Sequence, residues 1–292
     1  MNNFFQGLGV ALVTPFTKTG EVDYPALIKL VEYQLNNGVD FLVILATTGE
    51  SPCLNYDEKE TITRKIVEIV KGRVPILKYC GGNNTMAVSK EIHNSNWTGI
   101  DGILSVCPYY NKPSQAGLYE HFRIISQSTP LPIVLYNVPG RTGVNLSAET
   151  TLRLSKDFDN IVAIKEASGK LSQIERIISD APKGFKVLSG DDALTYSMIA
   201  SGAVGVISVL GNALPKVFSQ MVHSAIDGEY DKALSIHHKL GNLYSLLFAD
   251  GNPSGCKALL KELGMTEDSV RLPLLPASEE TRLKMMNIVK NI

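Results

Sequence analysis

Short apolar runs rich in Val, Ile and Leu recur along the chain, separated by longer stretches in which apolar positions return every three or four residues. The runs lie at 9–14, 41–46, 76–80, 102–107, 133–137, 161–166, 185–189 and 205–209. Their length and β-branched content predict eight strands, spaced by roughly 20–35 residues, with room for a helix in each gap. The 3.6-residue period predicts amphipathic helices at 24–37, 57–70 and 171–180. Asp23, Asn55 and Ser147 stand where N-caps are needed, and Glu58 and Glu149 follow where the positive helix end favours them.

Runs such as Phe41-Leu42-Val43-Ile44-Leu45 are apolar without alternation, which suits a parallel sheet buried on both faces. Alternating βα units leave two architectures, a closed barrel and a doubly wound open sheet. No G-x-G-x-x-G follows the first run, so the dinucleotide-binding open sheet loses its main signature. The expected class is α/β, a (β/α)8 TIM barrel. Beyond Asn212 the strand signals stop, and 215–226, 231–248, 254–263 and 279–292 read as helices. The expected division is a catalytic barrel over 1–225 and a C-terminal helical extension over 226–292. A length of 292 residues lies within the range of one α/β barrel.

Charge and cysteine content narrow the function classes. Lys plus Arg is 28 and Asp plus Glu is 29, a net charge of −1; nothing there forms an electrostatic footprint for nucleic acid or an anionic membrane. Cys53, Cys80, Cys107 and Cys256 are scattered, with no C-x-x-C spacing and no accompanying His cluster. They read as small apolar packers in a reducing compartment, without zinc or redox chemistry. The opening MNNFFQGLGVALVTPF lacks a basic segment and reaches a polar turn too soon for a signal peptide or membrane span, so a cytoplasmic address is expected.

In such barrels the site lies at the C-terminal strand ends. Ala46-Thr47-Thr48-Gly49-Glu50-Ser51 follows the second strand; its hydroxyls and glycine turn suit a carboxylate or a hydroxyl relay, and equally a capped strand-to-helix turn. Cys107-Pro108-Tyr109-Tyr110-Asn111-Lys112-Pro113 is a rigid aromatic loop, readable as an interface plug, a core corner or a catalytic phenol. In Tyr136-Asn137-Val138-Pro139-Gly140-Arg141-Thr142-Gly143 the arginine is either a fork for a substrate carboxylate or a plain surface cation. Lys165 ends the apolar sixth strand, where desolvation would lower its pKa as a Schiff-base amine requires. The alternative is an ion pair with Glu166, which the alternation of strand faces disfavours. Ser189-Gly190-Asp191-Asp192 and the segment 202–208 carry no basic residue. They suit close backbone approach to a keto acid better than phosphate, and the acidic pair reads as a helix N-cap before a metal ligand.

Together these segments resemble the family of pyruvate-dependent Schiff-base lyases that holds dihydrodipicolinate synthases, N-acetylneuraminate lyases and keto-deoxy-sugar aldolases. The likeness runs from Gly7-Leu8-Gly9-Val10-Ala11-Leu12-Val13-Thr14-Pro15-Phe16 to Val206-Ile207-Ser208, with Ala46 in place of the family's leading glycine in Gly-Thr-Thr-Gly-Glu-Ser. The resemblance implies Lys165 as the Schiff-base lysine and Tyr136 as the proton-shuttling phenol. It implies Thr48 as the link to a second tyrosine, Tyr110, which would enter the site of a neighbouring subunit. It further implies Thr47 and Thr48 on the pyruvate carboxylate, Arg141 on the carboxylate of aspartate-4-semialdehyde, and Gly190 and Ile207 as backbone contacts near the lysine. No metal, nucleotide or flavin is implied, and the expected assembly is a homotetramer built as a dimer of dimers. Pro139 to Gly143 with Tyr109-Tyr110 resembles the branch that condenses pyruvate with aspartate-4-semialdehyde toward diaminopimelate and lysine. The alternative is a sibling acting on N-acetylneuraminate or a keto-deoxy-sugar acid. Ser51, Asn83 and Tyr109 resemble an effector pocket. Relatives inhibited by lysine carry histidines near Tyr56 and Lys59 and a glutamate near Ala87, so weak lysine feedback is expected here.

Overall fold

Whether the apolar runs fold as an open sheet or a barrel depends on how the first strand meets the last. In the computed structural model, which describes residues 5–290 and 292, they meet. Strands β1 (Gly7–Ala11), β2 (Phe41–Ile44), β3 (Ile76–Tyr79), β4 (Gly102–Val106), β5 (Ile133–Asn137), β6 (Ile161–Glu166), β7 (Lys186–Ser189) and β8 (Gly205–Ser208) pair in parallel with their sequence neighbours, and β8 closes on β1. The fold is a (β/α)8 TIM barrel.

Alternation along each strand sorts side chains into two layers. Ala11, Val43, Leu77, Leu104, Val134, Ala163, Leu188 and Ile207 fill the interior with the Phe41 ring. Gly9 makes room for that ring, since a Cβ there would lie 2.2 Å from Phe41. The opposite faces, such as Val10, Leu42, Ile44, Ile103 and Ile164, pack outward against the helices. Burial on both sides is why the runs show little alternation in the sequence.

The helices are α1 (Tyr24–Leu35), α2 (Tyr56–Val70), α3 (Thr85–Asn94), α4 (Gln115–Gln127), the single turn α5 (Pro139–Thr142), α6 (Ala148–Asp157), α7 (Leu171–Asp180), α8 (Thr195–Ala200) and α9 (Pro215–Ile226). Three more, α10 (Tyr230–Leu246), α11 (Ser254–Glu262) and α12 (Glu279–Val289), form the C-terminal layer. The expected caps are present. Asp23 accepts from Ala26 N, Ser147 from Thr150 N, and Asn55 forms a reciprocal capping box with Glu58. Among the described residues no helix is long and apolar enough to cross a membrane.

The first strand is displaced from its expected place at 9–14. It begins at Gly7, and beyond Ala11 the chain leaves the ladder toward the barrel mouth: Val13 N donates to the Asn212 side chain at 3.0 Å, and the Thr14 hydroxyl to Gly49 O at 2.7 Å. Apolarity persists through Val13 because that mouth segment is itself buried. The last helix ends at Val289, short of the expected 292, and residue 291 lies outside the described residues. Residues 1–4, the start of the segment expected to hold no leader, also lie outside them.

Candidate active site

A cavity of about 630 Å³ opens at the C-terminal end of the barrel, and Lys165, Tyr136, Thr47, Thr48, Arg141 and Gly190 all line it. The ladder explains how distant residues meet. Tyr136 on β5 and Lys165 on β6 are register partners, so both side chains point into the barrel side by side. The ammonium lies 4.4 Å from the centre of the Tyr136 ring. Glu166, the next residue, points to the outer layer. There it accepts from Asn137, Gln173 and the Ser168 N–H, so the Lys165–Glu166 ion pair does not form.

Lys165 is buried, and desolvation lowers its pKa to about 8 against the opposing charge of Asp192, with Arg141 lowering it further. Burial raises the Tyr136 pKa, while Arg141 and a hydrogen bond from Thr47 act to lower it. Room for the lysine depends on Gly190. A Cβ there would lie 2.7 Å from Ala167 Cβ and 3.1 Å from Lys165 Cε.

Arg141 sits on the single turn α5, which begins at Pro139 and ends in a left-handed Gly143. Proline sets the first helical angle and glycine the stop, so the loop sequence presents the guanidinium at the cavity. Thr47 and Thr48 belong to a 3-10 turn after β2. The turn brings Thr47 to Tyr136, whereas Thr48 Oγ1 accepts from Asn252 Nδ2 at 3.0 Å.

Not every expected residue is in the cavity. Ile207 is buried in the barrel interior. Tyr110 is 88% exposed, with φ 72°, and does not line its own chain's cavity. Ser51 and Tyr109 line a second cavity of about 340 Å³ together with Tyr56 and Lys59. Asn83 stands outside that lining but donates to Tyr109 O at 3.1 Å.

Other residues were missed. Tyr244, Ser245, Phe248 and Asn252 bring the C-terminal layer to the cavity rim. Of the acidic pair, Asp191 caps the following turn as expected. Asp192 is buried at the cavity, where one carboxylate oxygen accepts from Val209 N and Leu210 N. Burial raises its pKa to about 6.

This arrangement has close counterparts among known proteins. A family model described as the dihydrodipicolinate synthetase family matches residues 4–292. The 4-hydroxy-tetrahydrodipicolinate synthase of Phocaeicola vulgatus is 54% identical over 287 residues, covering 98% of this chain and 97% of the relative. The crystal structure of dihydrodipicolinate synthase from Thermotoga maritima superposes with a TM-score of 0.96 at 43% identity, covering 99% of each chain. A structure described as the first monomeric dihydrodipicolinate synthase variant reaches 0.95 at 44% identity, covering 98% of this chain and 96% of the other. With a buried lysine and tyrosine at one barrel mouth and likeness of this extent along nearly the whole sequence, the chain belongs to the dihydrodipicolinate synthetase family.

Proposed function

We propose that the protein condenses pyruvate with aspartate-4-semialdehyde, the step performed by 4-hydroxy-tetrahydrodipicolinate synthases on the route to diaminopimelate and lysine. The observation that carries this reading is the buried Lys165 beside Tyr136, with Arg141 on the same cavity. Neutral Lys165 attacks the pyruvate ketone, and loss of water gives an imine. Loss of a methyl proton gives an enamine whose carbon attacks the aldehyde of the second substrate. The adduct cyclises as its amine displaces the lysine.

Tyr136 carries the protons, Thr47 and Thr48 hold the pyruvate carboxylate, and Arg141 offers its planar fork to the carboxylate of aspartate-4-semialdehyde. Gly190 and Ile207 supply backbone near the lysine. Asn252 uses one lone pair of the Thr48 hydroxyl, which leaves that O–H free to donate into a relay toward Tyr110. Tyr110, exposed on its own chain, would complete the relay from a second copy, and this supports a homo-oligomer, a homotetramer arranged as a dimer of dimers. Residues 1–225 would then form the catalytic barrel and 226–292 an extension that closes its rim.

The test is a coupled assay with pyruvate and aspartate-4-semialdehyde, read through a downstream reductase that oxidises NADPH. Turnover is expected. Folded protein that fails to turn over these substrates yet cleaves N-acetylneuraminate or a keto-deoxy-sugar acid would overturn the choice of second substrate.

A further inference from the structure

The turn that carries Thr47 and Thr48 is gripped from outside the barrel. Glu50, just past it, is buried with left-handed backbone angles (φ 53°, ψ 36°), which non-glycine residues keep only where their surroundings impose them. Both carboxylate oxygens belong to the C-terminal layer. Oε1 accepts from Lys257 Nζ on α11 at 2.6 Å, and Oε2 from the Arg271 N–H at 2.9 Å. Lys257 is itself wholly buried; it also donates to Ser269 O at 2.8 Å and faces the Phe16 ring at 4.1 Å. Arg271 forks onto Glu58 at 2.6 and 2.8 Å and donates to Cys53 O at 2.7 Å, fixing the next turn as well.

A buried ion pair is a poor source of stability, because apolar residues of the same volume often do as well, while removing one partner strands the other charge. What such a pair does supply is direction: two short charge-assisted hydrogen bonds specify where the carboxylate and its backbone sit. Here that backbone is continuous with the turn whose Thr47 meets Tyr136. Neither Glu50 nor Lys257 lines the cavity, so neither acts by touching substrate.

We propose that Glu50 and Lys257 are positioning residues for the reaction at Lys165. Their buried pair couples the C-terminal helical layer to the Thr47–Thr48 turn and sets the hydroxyls that receive the pyruvate carboxylate. The inference rests on the assignment of those hydroxyls under the proposed function.

Two variants test it, the isosteric Glu50→Gln and the double Glu50→Gln/Lys257→Met, which leaves no stranded charge. Both are expected to fold, by circular dichroism, and to trap pyruvate on Lys165 with borohydride at saturation. In the double variant the pyruvate KM is expected to rise about 10-fold and kcat to fall roughly 10- to 100-fold, as displaced contact groups produce. The KM for aspartate-4-semialdehyde, held by Arg141, is expected to stay within about twofold by the same logic. Lys261→Gln, on the same helix as Lys257, removes exposed pairs with Glu267 and Asp268 beyond its end and serves as a control with unchanged constants. Wild-type pyruvate KM and kcat in the double variant would overturn the inference, and so would an equal rise in both KM values, the mark of general loosening. Failure of the site reading would appear separately, as absence of pyruvate trapping in the unmutated protein.

Discussion

At the scale of single residues, the Schiff-base role proposed for Lys165 requires the neutral amine, and its surroundings set when that form is present. Burial lowers its pKa to about 8, while the carboxylate of Asp192 opposes the shift. The reactive amine is therefore a minor species at pH 7 and the major one above about pH 8. Below that value, the initial rate of borohydride-trappable adduct with pyruvate should rise about tenfold per pH unit; above it the rate should level off. Asp192→Asn keeps an oxygen for the Val209 and Leu210 N–H groups but removes the charge that favours the ammonium. The midpoint should then move to lower pH; an unmoved midpoint would mean that Asp192 does not act electrostatically on the lysine.

Elements were legible where one physical signal dominated. β5, β6 and α7 fall where the apolar runs and the 3.6 period put them, and the caps at Asp23, Asn55 and Ser147 follow from side chains that can accept a free N–H. Tyr244 and Asn252 were not legible, because a residue that reaches a site by packing of one layer on another leaves no local pattern in the sequence. The same limit hid the tie between α9 and the foot of the barrel. His223 Nε2 meets Asp40 Oδ2 at 2.8 Å, and Asp40 also accepts from Leu8 N at 2.6 Å. Asp40 raises the His223 pKa above its ordinary value, with burial opposing. A raised pKa in the folded state stabilises fully below the unfolded value and is lost as pH rises through the folded one. His223→Gln should therefore lower Tm more at pH 6 than at pH 8, by a small margin because the pair is partly solvated. An equal loss at both pH values, by differential scanning fluorimetry, would mean that the histidine acts through packing alone.

At the scale of the whole molecule, the roles that the family resemblance implies for Tyr109, Tyr110 and Ser51 turn on what an effector or a second copy brings to them. The cavity holding Ser51, Tyr109, Tyr56 and Lys59 is lined by the carboxylates of Glu60 and Glu91, and Ala87 stands outside its lining. Without the glutamate that the resemblance associates with lysine inhibition near position 87, an effector ammonium would lose a pairing worth about 1–3 kcal/mol if buried. L-lysine should accordingly inhibit weakly, and a dose–response curve with a micromolar midpoint would refute this. Tyr110 poses the sharper question. A bulky aromatic held at φ 72° and 88% exposed is strained, and a second copy whose cavity receives the phenol would supply the reason. Subunit mixing separates the possibilities. Tyr110→Phe leaves its own Lys165 intact, and Lys165→Ala leaves its own Tyr110 intact, so each homo-oligomer should turn over poorly. In a hybrid pair the Tyr110→Phe chain keeps the lysine and borrows the partner's tyrosine, restoring one complete site of two. With random exchange through a symmetric interface, about one quarter of all sites should recover. No recovery in hybrids verified by native mass spectrometry would mean that Tyr110 does not serve a neighbouring subunit, and the relay would then end within each chain.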